Sequence, residues 1–165
     1  MKNFRLFILA LSLVTFFAAC KKDDAPGPDS ISLAEKISHK DGKKWVISSM
    51  TAKYTVNGQS YEQDFLPIRF QNACLRDNIM VLYTDKKIET REGNVKCGSS
   101  DLISSGTWEL KNNETEMHVS SGSTTLYSTI VEASATTIKT EYPQALTLSN
   151  GQVANGTIVT IYTAQ

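Results

Sequence analysis

The side chains with the widest chemical range in this chain are three cysteines, Cys20, Cys74 and Cys97, and two histidines, His39 and His118. A histidine that moves protons in catalysis needs a nucleophile or carboxylate within hydrogen-bond reach, and no recognisable spacing around either histidine supplies one. His39 falls at the end of a helical segment and His118 alternates onto the side of Glu116 and Ser120, so both are expected at the surface. The sequence contains no Gly-x-Ser-x-Gly elbow, no His-Glu-x-x-His and no glycine-rich phosphate loop. Cys74 and Cys97 lack a nearby histidine, and two thiols fall short of the four N or S ligands of a structural zinc site. No catalytic residue, metal or cofactor is therefore expected, and the chain is expected not to be an enzyme.

The first residues decide what the cysteines can do. Lys2 and Arg5 precede an apolar run from Leu6 to Phe17, then Ala18, Ala19 and Cys20, and the charged stretch Lys21 to Asp24 closes it. This is the layout of an export signal. The run is shorter than the roughly 20 residues that cross a bilayer as a helix. Phe17-Ala18-Ala19-Cys20 resembles the lipobox of bacterial lipoproteins, in which the cysteine is acylated and becomes the N-terminus. The alternatives are an ordinary secretory signal with an incidental cysteine, or an uncleaved anchor. Residues 1–19 are thus expected to be a signal peptide and residues 20–30 a lipidated cysteine with a solvated, proline-stiffened tether reaching at most about 33 Å. Lys22-Asp23-Asp24 also resembles a tag that sends lipoproteins of some Gram-negative bacteria to the outer face of the outer membrane; its plainer reading is a solvated charge run. The expected partner of the anchor is the membrane, and the expected location is the outer membrane.

In an exported protein Cys74 and Cys97 meet oxidising conditions, and a disulfide is the plain reading, with a metal site as its rival. A bridge requires Cα atoms about 4.4 to 6.8 Å apart.

The elements that must hold these residues are mostly strands. Ser32 followed by Glu35 has the form of a capping box, with Leu33 and Ile37 on one face of a short helix between Asp29 and Lys40. From Lys44 the period becomes two: Val46, Ser48, Met50, Ala52, Tyr54 and Val56 alternate with mostly polar partners, and Asn57-Gly58 supplies a tight hairpin turn. Strands are expected over residues 60–65, 79–83, 87–91, 106–110, 115–120, 124–132, 136–142, 145–148 and 157–163. Residues 68–78 read as an irregular connection with one helical turn, and residues 92–105 as a loop. Asn113-Glu114-Thr115 and Asn155-Gly156-Thr157, which match a glycosylation acceptor pattern, read as turn residues. Many short strands joined by tight turns predict an all-β fold, an antiparallel up-and-down barrel of about eight strands with a short N-terminal helix, over residues 31–165. Its aromatic residues would fill the barrel or line a cavity; Met50, Tyr54, Trp108 and Tyr127 are the expected ligand-binding set.

Trp45 opening the first long strand, Cys74-x-x-Asp77-Asn78 before a strand, Cys97 in the next loop and Gly106-Thr107-Trp108 together resemble the lipocalin-like domain of bacterial lipoproteins, over about residues 40–163. Gly42-x-x-Trp45 stands where true lipocalins carry Gly-x-Trp. The resemblance implies a cup-shaped barrel.

The chain carries 17 Lys and Arg against 17 Asp and Glu among 165 residues. Without Lys2 and Arg5 of the signal, 15 basic residues face 17 acidic ones, a formal charge of −2. That balance lacks the basic excess of a phosphate-binding surface and argues against nucleic acid as a partner. Two functions from different classes remain: a membrane-anchored envelope lipoprotein whose barrel binds a small apolar or amphipathic molecule, and a filled barrel that serves as a structural or protein-interaction module of the envelope.

Overall fold

Tight turns between short strands favour pairing of each strand with the next, and this is the pattern in the computed structural model, which describes residues 31–165. The expected signal peptide, Cys20 and the expected tether lie outside the described residues. The elements are α1 (Leu33–Ile37), β1 (Lys43–Val56), β2 (Gln59–Asp64), α2 (Leu66–Arg69), α3 (Ala73–Arg76), β3 (Ile79–Leu82), β4 (Lys87–Arg91), β5 (Leu102–Lys111), β6 (Glu116–Ser121), β7 (Thr124–Ala133), β8 (Thr137–Thr147) and β9 (Val153–Ala164). All ladders between these strands are antiparallel. Strands β1 and β3 to β9 pair in sequence, and β9 pairs back onto β1, which closes an eight-stranded barrel. The all-β barrel expected from the turn spacing is present, with its short helix at the start.

β1 carries two neighbours on one side. Its first part, Lys43 to Val46, pairs with β3, and its last part, Thr51 to Val56, pairs with β2. β2 is therefore an extra strand outside the closed ring, and it continues β1 beyond the barrel. At the same end β7 leaves β8: their pairing runs only from Thr129–Glu141 to Ala133–Ile138, whereas β8 stays on β9 as far as Thr147–Val153. The result is a four-stranded projection, β2-β1-β9-β8, standing past the ring at the open end.

Several sequence expectations are corrected by the ladders. The phase assigned to the start of β1 is reversed: Trp45 is fully buried, while Val46 and Ser48 are not in the core. A bulge between Ile47 and Ser49 inserts Ser48 and shifts the inward set from Trp45 and Ile47 to Met50 and Ala52. A second irregularity at Val131 flips β7 in the same way, so that Ile130 and Ala133 both pack inward. Pro143 does not divide β8. It sits beyond the last residue paired to β7, on an edge where the missing N–H costs least. Asn155-Gly156 lies inside β9 and not in a turn; the chain reverses over residues 148–152 instead. β5 begins at Leu102, inside the expected loop, and the segment after Pro67 holds part of α2 and all of α3.

The interior has two clusters. Near α1 are Ile37, Trp45, Leu82, Ile88, Trp108, Met117 and Ile138; toward the projection are Met50, Ala52, Leu146 and Ile158, with Phe65, Leu66 and Phe70 packed on them. Thr140 and Thr160, both buried, are also inward residues of β8 and β9.

Candidate functional site

The two ends of the barrel are built differently. At the closed end Ser32 and Glu35 form the expected capping box, and α1 drives Ile37 into the core. The indole N–H of Trp45 donates to the Ile37 carbonyl at 2.9 Å, and that of Trp108 donates to the Tyr83 carbonyl at 3.0 Å. Both indoles thus bury their area without leaving a donor unpaired. The Leu33 N–H donates to Glu114 Oε2 at 3.2 Å and ties the helix to the β5–β6 turn. Outside this end, Glu89 is held by Lys87, Arg91 and Tyr83: Lys87 Nζ lies 2.5 Å from Oε1, and Arg91 Nε and the Tyr83 hydroxyl donate to Oε2 at 2.7 and 3.0 Å. The bond from Lys87, then that from Arg91, keep the Glu89 carboxyl at about 2, well below its ordinary value.

The open end holds a cleft of about 650 Å³ on one face of the projection. Its floor is Ala52, Tyr54 and Val56 of β1 with Leu146 of β8, and Tyr61 and Gln63 of β2, Phe65 and Ile68 wall one side. Polar residues of the β8–β9 turn, Ser149, Asn150 and Gln152, form the opposite rim. Tyr54 and Tyr61 face each other across the β1–β2 ladder, their rings 5.6 Å apart and 17° from parallel. The Tyr61 hydroxyl donates to Gln59 Oε1 at 2.9 Å, and the Tyr54 hydroxyl points to Gln63 Oε1 at 3.5 Å. Beside the cleft Gly156 lets β9 lie close against β1: a Cβ there would stand 2.7 Å from the Lys53 carbonyl oxygen and 2.8 Å from Leu146 Cδ1. Glu62 is the one charged residue lining the cleft, and it is paired with Lys53 at 2.8 Å.

The structure does not bring the four expected binding residues together. Tyr54 lines the cleft, and Met50 is buried in the cluster nearest the projection. Trp108 is buried in the other cluster, near α1. Tyr127 is 61% exposed on the outer face, where it meets His118 edge-on at 4.7 Å. Its neighbour Ser128 takes the inward place and donates to the Met117 carbonyl at 3.2 Å. His118 is also less exposed than its alternation suggested; its ring is largely covered and lies 3.0 Å from Glu116 Oε2. Tyr61, Gln63, Phe65, Leu146 and Gln152 were missing from the expected set. For Tyr61 the signal was present: a two-residue turn at Asn57-Gly58 sets Val56 opposite Gln59 and hence Tyr54 opposite Tyr61.

Cys74 and Cys97 form a disulfide with Cα atoms 5.4 Å apart. It joins α3 to the loop before β5. That loop is clamped further by Glu92 Oε1, which accepts from the N–H groups of Cys97 and Gly98 at 2.9 Å each, and by Asp77 Oδ2, which accepts from the Val95 N–H at 2.9 Å. Among the described residues there is no group of three His, Cys, Asp or Glu that could hold a metal ion, and no helix is long and apolar enough to cross a membrane.

A scan against protein-family models gives no match, and a search of the curated proteins gives none either.

Proposed function

We propose that this chain is a lipid-anchored envelope protein, acylated at Cys20 and carried to the outer membrane, whose barrel binds a small amphipathic molecule without catalysis. The observation that supports binding is the cleft: it combines aromatic and aliphatic walls with a few oriented hydroxyls and amides, the usual composition of a ligand site. The lipobox-like run supports the anchor, and the resemblance to lipocalin-like lipoproteins supports both. The site differs from a deep calyx, because the barrel interior itself is filled by its two clusters and the cleft lies beside them.

Two experiments test the two halves. Val56→Phe enlarges a residue on the floor of the cleft; fluorescence titration of residues 31–165 with small amphipathic ligands is expected to saturate for the parent and to lose at least tenfold in affinity for the variant. Equal affinity of both would refute the site. Metabolic labelling with a fatty-acid analogue is expected to mark the parent and not Cys20→Ala, and label on the variant would refute the anchor.

The filled interior also favours a second reading, a structural or docking module in which the exposed β2 carries a protein contact. A single stoichiometric protein cross-linked to β2 in cells, with no small molecule recovered, would support it over ligand binding.

A further inference from the structure

The chemistry of the cleft narrows its ligand. Taking the ligand site proposed above as given, we infer that the cleft recognises an uncharged saccharide and not a fatty acid or other anionic amphiphile. A buried or half-buried carboxylate or phosphate needs a cation or several donors to offset its lost hydration. None of the residues lining the cleft is Lys or Arg, and Lys53, opposite Glu62 across the β1–β2 ladder, is already bound to it. A cationic headgroup fares no better, since Glu62 is the sole lining carboxylate and the same pair occupies it.

What the cleft does offer matches a sugar. A pyranose presents a face of C–H groups and a rim of hydroxyls that both donate and accept. Tyr61, 43% exposed and braced by its near-parallel contact with Tyr54, provides an aromatic surface of that size. Gln63, Asn150 and Gln152 provide amides, each with donor and acceptor atoms, on the walls around it. Asn150 and Gln152 are already oriented, by a 3.0 Å bond from Asn150 Nδ2 to Gln152 Oε1 and another of 3.0 Å from the Gln152 N–H to Asn150 Oδ1. A neutral amide rim discriminates against ions on either side, because it can satisfy hydroxyls and cannot neutralise a charge. The volume of about 650 Å³ holds a few sugar units, and the open side lets a longer chain run through.

The test is calorimetric titration of residues 31–165, which contain both core clusters, with neutral oligosaccharides of glucose, mannose, galactose, xylose and N-acetylglucosamine, and separately with palmitate. At least one oligosaccharide is expected to bind saturably, Tyr61→Ala to weaken it tenfold or more, and palmitate not to compete. Should Tyr61→Ala disturb the hairpin by circular dichroism, Gln152→Ala on the exposed turn carries the same expectation with a loss of about threefold. Palmitate binding that Val56→Phe abolishes, without binding of any oligosaccharide, overturns the saccharide assignment and leaves the ligand site standing. No binding of either kind overturns both, and oligosaccharide binding untouched by Tyr61→Ala and Gln152→Ala overturns its placement in the cleft.

Discussion

The closed and open ends of this barrel are built in opposite ways. At the closed end two buried tryptophans pack with Ile37 of the helix, and each indole N–H has a backbone acceptor. At the open end β7 parts from β8, the extra strand β2 extends β1, and two tyrosines are left facing a cleft. Large aromatic residues are therefore buried where the strands close on them and accessible where the strands diverge. Strand pairing decides which.

The sharpest way to break this contrast is to truncate an aromatic residue at each end. Trp45→Ala is expected to cost about 3–5 kcal/mol, because it removes a fully buried ring and a satisfied hydrogen bond together. Urea denaturation measures it; a loss below about 1 kcal/mol would mean that the closed end does not carry the core. The next effect belongs to the disulfide. Changing Cys74 and Cys97 to Ser is expected to cost roughly 2–4 kcal/mol and to lower the melting temperature by about ten degrees. The segments 65–78 and 92–101 should become protease-sensitive while the barrel circular dichroism persists, and an unchanged melting temperature would contradict the bridge's role.

Glu89 gives a smaller, pH-dependent effect. Its carboxyl is held at about 2 in the folded protein against an ordinary value of 4.5, so the stabilisation is complete above about pH 4.5 and is lost as pH falls toward 2. Lys87 and Arg91 are half exposed, and screening limits the gain to about 1–2 kcal/mol. Glu89→Gln should flatten the acid limb of the stability curve by that amount; an unchanged limb would rule the clamp out. The smallest expected change in stability, below about 1 kcal/mol, is for Tyr61→Ala, which loses one cross-strand ring contact on an exposed hairpin. Its effect should appear in binding, and a large drop in melting temperature would place Tyr61 with the core residues.

The barrel was legible in the sequence because turn residues recur between alternating strands, and the Asn57-Gly58 hairpin fixes its own register. Pairing of Cys74 with Cys97 was legible from the cysteine count once the N-terminal run is read as an export signal. What escaped follows from single inserted residues: Ser48 and Val131 each reverse the phase of a strand, and no local composition marks either as a bulge. Tyr127 belongs to the expected lining set as an aromatic strand residue, whereas its strand places the small Ser128 in the core instead. The cleft depends on where β7 stops pairing with β8, a property of the closed sheet as a whole, so Leu146 and Gln152 could not be joined to Tyr54 from sequence spacing.

The most direct measurement of the central claim is amide chemical-shift mapping of residues 31–165 titrated with neutral oligosaccharides. Shifts confined to residues 52–65 and 146–156, with Trp45 and Trp108 silent, are the result expected if the open end binds and the closed end supports. Shifts centred on α1 and the β3–β4 turn, or saturable binding with no shift in the cleft, would contradict it.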